Sequence, residues 1–197
     1  MDPLPPSFYD RDALEVARDL LGCEVRHGDV RLRITEVEAY RFPGDTANHA
    51  RAGRTARNAP MWGPPGHAYV YRCYGLHHLL NFVTGPAGHA AAVLLRAAEP
   101  MAGLEVIQAR RGPRTGPDLL AGPGRVCAAL GLDVSASGVS LDGPLAAYPR
   151  TGAPPRIAVG PRVGIDYASP EDRAAPWRLA DADSRWVSHR RTLRAEG

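Results

Sequence analysis

Two carboxylates and a phenol, Glu36, Glu38 and Tyr40, stand at alternate positions of the run VRLRITEVEAY. Residues two apart on a β-strand share a face, so this pattern sets all three on the face of Val30, Leu32 and Ile34, where apolar side chains normally enter a core. A carboxylate is costly to bury unless it is paired or used, and burial makes such a group a stronger base. One of the two glutamates is therefore a candidate general base. The competing reading pairs Glu36 or Glu38 with an arginine where the strand emerges into solvent, and the strand pattern alone favours it.

Downstream, HAYVYRCYG puts Tyr69 and Tyr71 on one strand face and Tyr74 on the other, beside Gly75, which permits a sharp turn. One face can line a pocket while the other meets a partner. Proteins that act on a base inside duplex DNA must extrude it, grip it between aromatic faces and fill the gap with a wedge, and tyrosines divided in this way suit that task. Three strand tyrosines by themselves are more often core.

The ionisable composition narrows the chemistry. All 24 basic residues are Arg and none is Lys, against 21 Asp and Glu, for a formal charge of +3. That balance is compatible with a polyanion partner, and it removes the usual amine for Schiff-base catalysis while keeping guanidiniums suited to phosphate. Cys23, Cys73 and Cys127 lie about fifty residues apart without a C-x-x-C pair and read as buried free thiols. His77 and His78 are adjacent and so diverge, and no metal site or cofactor is expected.

Positioning such residues requires a framework. Asp10 or Asp12 can cap a helix ending near Leu21 with Gly22 as its stop, and Gly28-Asp29 turns into the strand Val30 to Tyr40. From Arg41 to about Gly66 there is no periodicity, only Gly, Pro, Asn and Asp with Arg51, Arg54 and Arg57 interspersed, which reads as a binding loop. Strands are expected at 67–74, 79–83, 90–96, 156–159 and 163–167, and helices at 101–111 and from Gly122 to Gly131. These elements give one mixed α and β domain over residues 1–197, with residues 1–6 and 189–197 as flexible ends. The opening MDPLPPSFYD has neither the basic nor the apolar region of a secretory signal, and no apolar run reaches transmembrane length, so a cytoplasmic monomer is expected.

Several segments in order, ITEVEAY, GDTANHARAGRTARN, PGHAYVYRCYG, LLN, VLLRAAEP, GPGRVC and WVS, resemble the alkyladenine (3-methyladenine) DNA glycosylase family over roughly residues 7 to 188. The resemblance implies an α+β fold with a curved antiparallel β-sheet and surrounding helices. It implies a monofunctional hydrolase that flips damaged purines of the 3-methyladenine, 7-methylguanine, hypoxanthine and ethenoadenine class out of double-stranded DNA and leaves an abasic site. It selects Glu38, not Glu36, as the base that activates water, with Arg96 near the water and the target phosphate. Tyr40, His49 and Tyr71 then hold the flipped base, Asn81 disfavours the 2-amino group of guanine, and Tyr74 is the wedge. Arg51, Arg54 and Arg57 become candidate phosphate contacts, and the enzyme works at the nucleoid.

Two other readings compete. LAGPGRVCAAL followed by Asp142 loosely mimics the hairpin and aspartate of helix-hairpin-helix glycosylases, but the several β-patterned segments and the lack of Lys oppose it. A module that binds structured RNA would use the arginines and tyrosines but gives Glu38 no task.

Overall fold

The computed structural model describes residues 1–196, so Gly197, the last residue of the expected flexible end, lies outside them. In chain order come helices α1 (Pro6–Tyr9) and α2 (Ala13–Leu20), then strands β1 (Glu24–His27), β2 (Val30–Tyr40), β3 (Ala68–Cys73), β4 (His77–Thr84) and β5 (Ala91–Ala102). Helices α3 (Leu104–Arg111) and α4 (Pro123–Leu130) follow, then β6 (Leu145–Tyr148), β7 (Ile157–Gly160), α5 (Pro170–Ala174), β8 (Arg178–Asp181) and β9 (Arg194–Ala195). The strands form one antiparallel sheet in the order β3-β4-β5-β2-β8-β7-β9, with β1 bridging β2 and β6. The sheet does not close on itself, and the fold is α+β as expected.

One face of the sheet is packed by helices around a core that includes Leu32, Ile34, Val37, Ala39, Val70, Leu80, Phe82, Val93 and Leu95. The opposite face carries Tyr69, Val83 and Ala92 beneath the loop that follows β2. The pairing of β2 with β5 slips between Ile34 and Glu36 and again between Glu36 and Val37, so Thr35 and Arg96 lack ladder partners. Such bulges re-aim side chains. They overturn the strict alternation expected for Val30 to Tyr40: Ile34 and Val37 both point into the core, while Glu36, Glu38 and Tyr40 leave it for the other face.

Two more expectations need correction. Residues 163–167 form no strand, because Pro161 supplies no amide and Gly164 takes φ +77°, turning the chain away from the sheet. Cys23 and Cys127 are buried free thiols, but Cys73 is half-buried at the end of β3. Near the two ends, Leu4 is buried and its amide donates to the Ala147 carbonyl at 2.7 Å, and β9 pairs with β7. No helix among the described residues is long and apolar enough to cross a membrane.

Helix α2 locks its start through Asp12, whose Oδ1 accepts from the Leu14 amide at 2.9 Å, while Oδ2 accepts from Arg41 Nε at 2.8 Å. Loss of an N-cap costs about 1 kcal/mol, which corresponds to about 2–4 °C in Tm for a chain of this size. Asp12→Ala is expected to melt lower by that amount and Asp12→Asn to recover most of it, because Asn caps equally well. Equal melting of the two variants would place the effect in the Arg41 contact instead.

Candidate active site

Sheet register assembles the centre of the site. Tyr69 on β3 pairs with Asn81 on β4, Asn81 with Leu94 on β5, Leu94 with Glu38 on β2, and Glu38 with Arg178 on β8. Five strands thus contribute one row of side chains across the face that looks away from the helical core.

Glu38 has no exposed surface. Its Oε1 accepts from the Val163 amide at 2.7 Å and lies 3.2 Å from Arg96 Nη1, while Oε2 accepts from the Tyr40 hydroxyl at 2.9 Å. A carboxylate has about four acceptor positions, so one remains on Oε2 for a further donor. Glu36, equally buried, is held differently. It accepts from Arg178 at 2.9 Å, from Arg96 Nε at 3.2 Å, and from the amide and hydroxyl of Ser188 at 2.6 and 2.9 Å. Neither glutamate lies where the strand meets solvent. Glu36 is enclosed in structural contacts, whereas Glu38 has Tyr40, Arg96 and Val163 between it and a cavity. Burial alone would lower the Arg96 guanidinium, but Glu38 and Glu36 outweigh it and hold it above its ordinary value.

The cavity has a volume of about 530 Å³ and brings together Tyr40, His49, Tyr71, Asn81, Arg96 and Tyr74, all singled out from the sequence. Tyr69 and Tyr71 stack with ring centres 5.5 Å apart, and His49 meets Tyr71 edge-on at 4.5 Å. His49 Nδ1 lies 3.1 Å from the Tyr69 hydroxyl. Burial, with Arg57 and Arg51 nearby, pushes His49 down to about 4, so the ring is neutral near pH 7. Burial, then the charge of Glu38, holds the Tyr40 phenol well above its ordinary range. The Asn81 amide nitrogen donates to the Tyr69 carbonyl at 3.1 Å, which fixes the side chain at the cavity wall.

Tyr74 sits at the β3–β4 tip, 86% exposed. Both it and Gly75 have positive φ, 50° and 70°, and the Leu76 amide closes the turn on the Cys73 carbonyl at 3.1 Å. Two successive positive φ values are the signature of a hairpin turn whose twist matches its strands. Of the three loop arginines, Arg57 reaches the cavity and donates to the Arg72 carbonyl at 3.1 Å. Arg51 lies over the Tyr167 ring at 4.7 Å in an adjoining cleft, and Arg54 is exposed and lines neither space.

Sequence reasoning missed the supports. Arg162 makes a fully buried ion pair with Asp45 at 2.6 Å and donates to the Ala39 carbonyl at 3.0 Å. Its guanidinium stands 4.8 Å from the rings of both Tyr40 and Trp177, which ties the loop after β2 to the phenol. Arg178 and Ser188 were also unmarked, although Ser188 closes the WVS segment. The only sequence signal for the 161–164 turn was its Pro and Gly. Among the described residues no cluster of three or more His, Cys, Asp or Glu is placed to hold a metal ion.

Sequence comparison with known proteins finds one family over most of the chain. Residues 7–185 match the methylpurine-DNA glycosylase family model. The Arabidopsis thaliana DNA-3-methyladenine glycosylase is 52% identical over 191 residues, covering 95% of this chain and 75% of that protein. A relative from Nitrosococcus oceani, assigned provisionally as a 3-methyladenine DNA glycosylase, is 61% identical over 193 residues, covering 98% of this chain and 96% of its own. One from Methanocella arvoryzae with the same provisional name is 46% identical over 204 residues, covering 96% and 98%. The chain belongs to the methylpurine-DNA glycosylase family.

Two outcomes follow from the site's charges. Glu36→Gln leaves Arg96 and Arg178 short of a buried partner, and breaking a buried pair costs about 3–5 kcal/mol; the urea midpoint should fall accordingly, and an unchanged midpoint would contradict the network. The unfolded His49 ring titrates near 6.5 and the folded one near 4, so the unfolded chain binds more protons between those values. Its stabilising contribution is complete above pH 6.5 and is lost as pH falls toward 4. His49→Gln should flatten stability across that window, and an NMR titration of His49 at or above 6.5 would refute the assignment.

Proposed function

We propose that the protein is a monofunctional DNA-3-methyladenine glycosylase of base excision repair, hydrolysing the N-glycosidic bond of damaged purines flipped out of double-stranded DNA. The observation that carries this reading is Glu38, buried behind the aromatic cavity, fixed by two hydrogen-bond donors and the Arg96 ion pair, with an acceptor position open on Oε2. No cofactor takes part.

Tyr74 enters the base stack and fills the space left by the extruded nucleotide. The base lodges among Tyr40, His49 and Tyr71. Alkylation at N3 or N7 makes a purine cationic, so electron-rich phenol faces favour it and a neutral His49 does not repel it. The cationic base is also a good leaving group. Glu38 takes a proton from water, the water oxygen bonds to C1′, and the C1′–N bond breaks with its electron pair leaving on the purine. Arg96 holds Glu38 in place and faces the sugar-phosphate, and the fixed Asn81 amide disfavours the exocyclic 2-amino group of guanine. Hypoxanthine and ethenoadenine belong to the proposed substrate range with 3-methyladenine and 7-methylguanine. Arg51, Arg54 and Arg57 meet phosphates as the duplex docks.

Glu38→Gln preserves shape but removes the base, so single-turnover excision of hypoxanthine from a duplex should fall by about 10²–10⁴ while affinity for the duplex persists. Near-parental excision by this variant would overturn the role of Glu38. With no lysine in the chain and arginine permanently protonated, borohydride added during turnover should trap no protein–DNA adduct, and strands should break only on later alkali treatment. A trapped adduct would replace the water mechanism with an imine.

A further inference from the structure

The side chain of Arg162 has no exposed surface, so a ligand in the cavity does not meet it. Its contacts are nevertheless with the groups that hold Glu38. Nη1 donates at 3.0 Å to the carbonyl of Ala39, the residue between Glu38 and Tyr40, and the guanidinium stands 4.8 Å from the Tyr40 ring. Val163, the next residue along the chain, gives its amide to Glu38 Oε1 at 2.7 Å, and Tyr40 gives its hydroxyl to Oε2 at 2.9 Å. One donor to each carboxylate oxygen thus rests on the same arginine.

The arginine itself has little freedom. Its two terminal nitrogens form a fork on Asp45 at 2.6 and 2.8 Å, and Asp45 Oδ1 also accepts from the Ala47 amide at 2.9 Å. Trp177 covers the guanidinium at 4.8 Å, so the cation has an aromatic neighbour in both Tyr40 and Trp177. A planar guanidinium can stack and form such a fork at once, which a lysine ammonium cannot. Burial works against the Arg162 charge, but Asp45 outweighs it and holds the guanidinium above its ordinary value. Nε has no hydrogen-bond partner among the described residues. A buried N–H without an acceptor costs stability, so folding alone does not account for an arginine at this position.

We propose that Arg162 is a positioning residue of the glycosylase reaction, setting the direction in which Glu38 faces the attacking water by fixing Tyr40 and the Val163 amide against it. The inference rests on the DNA glycosylase reading above and deepens it. A group displaced by 1 Å through a change remote from the chemistry loses about 10² in rate, while the contacts that bind the duplex are untouched. The effect of Arg162 therefore falls on the chemical step and not on binding.

The test is single-turnover excision of hypoxanthine from a duplex, with affinity for the same duplex measured beside it, well below the melting temperature of each variant. Arg162→Lys keeps a charge for Asp45 but cannot also serve both rings and the Ala39 carbonyl. It should lower the rate by about 10–10² and leave affinity within about twofold of the parent. A purely structural role would lower the melting temperature and leave the rate of the folded enzyme unchanged. Tyr40→Phe supplies a second readout, since it keeps the ring and removes the hydroxyl through which part of the effect passes. Arg162→Lys should cost less in that background than in the parent. Trp177→Leu does not depend on the lysine variant folding: it uncovers the guanidinium at a half-buried position and should lower the rate by about two- to fivefold. A parental rate in either folded variant, or equal losses with and without the Tyr40 hydroxyl, would overturn the role of Arg162 while an excising parent leaves the functional reading intact. A parent that excises nothing would remove both.

Discussion

Glu36, Glu38, Arg96 and Arg178 are almost wholly withdrawn from water, and their charges cancel only within the group. An isolated ion taken out of water carries a penalty of several kcal/mol even after the protein relaxes, so none of the four is tolerable without the others. That closure holds distant parts of the chain together. Glu36 and Glu38 come from β2, Arg96 from β5 and Arg178 from β8, and Ser188 donates to Glu36 across 152 residues of sequence. The segment after β8 is thereby pulled onto the sheet, and the walls of the cavity follow from where the ion pairs must sit.

The geometry of the closure depends on two slips in one pair of strands. With regular pairing, Glu36 and Glu38 would enter the face of Leu32 and Ile34, among side chains with no donors to offer. The unpaired Thr35 reverses the face of β2, and the unpaired Arg96 compensates on β5, so acids and base emerge on the same side. Thr35 is not left idle, since its hydroxyl donates to the Trp186 carbonyl at 2.5 Å. Alternation in VRLRITEVEAY marks the strand and its bounds correctly but contains no sign of the slip. A bulge is set by what the partner strand and the opposite face require, and these are not local properties of the run.

The same division between local and distant causes separates what could be read in the sequence from what could not. Helix α2, the strand Val30 to Tyr40, the tyrosines of β3 and the stop at Gly131 rest on patterns within a few residues. The grouping of Glu38, Tyr40, His49, Tyr71, Asn81 and Arg96 is different: it follows only from the family resemblance carried by motifs spread over some sixty residues. Arg162, Arg178 and Ser188 are legible only from their partners, and β8, RLAD, has a charged residue at each end that masks its apolar centre. The aperiodic loop after Tyr40 is ordered by another route. Asn48 donates to the carbonyls of Arg41 and Ala90, and Asn58 to those of His49 and Gly53, so side-chain amides do there what a ladder does in a sheet.

The hairpin tip is the one place where this economy of burial is reversed. Tyr74 is a large ring left 86% exposed, next to Leu76 at 79%, on a backbone that a residue with a Cβ adopts only at a penalty of about 1–3 kcal/mol. Neither feature helps the chain fold. Both are sustained by rigid surroundings: β3 and β4 pair without interruption from Ala68 and Phe82 to Cys73 and His77, and Gly75 supplies the second positive φ. Gly124 lets α4 press against His77, the first residue of β4 after the turn. In the role proposed for Tyr74, a ring entering a stacked duplex in one orientation gains from a stiff mount, because orientation fixed in the free protein need not be fixed on binding. The buried ions that anchor the sheet and the exposed tyrosine at its edge are in this sense two ends of one construction, and the row from Arg178 to Tyr69 is the span between them.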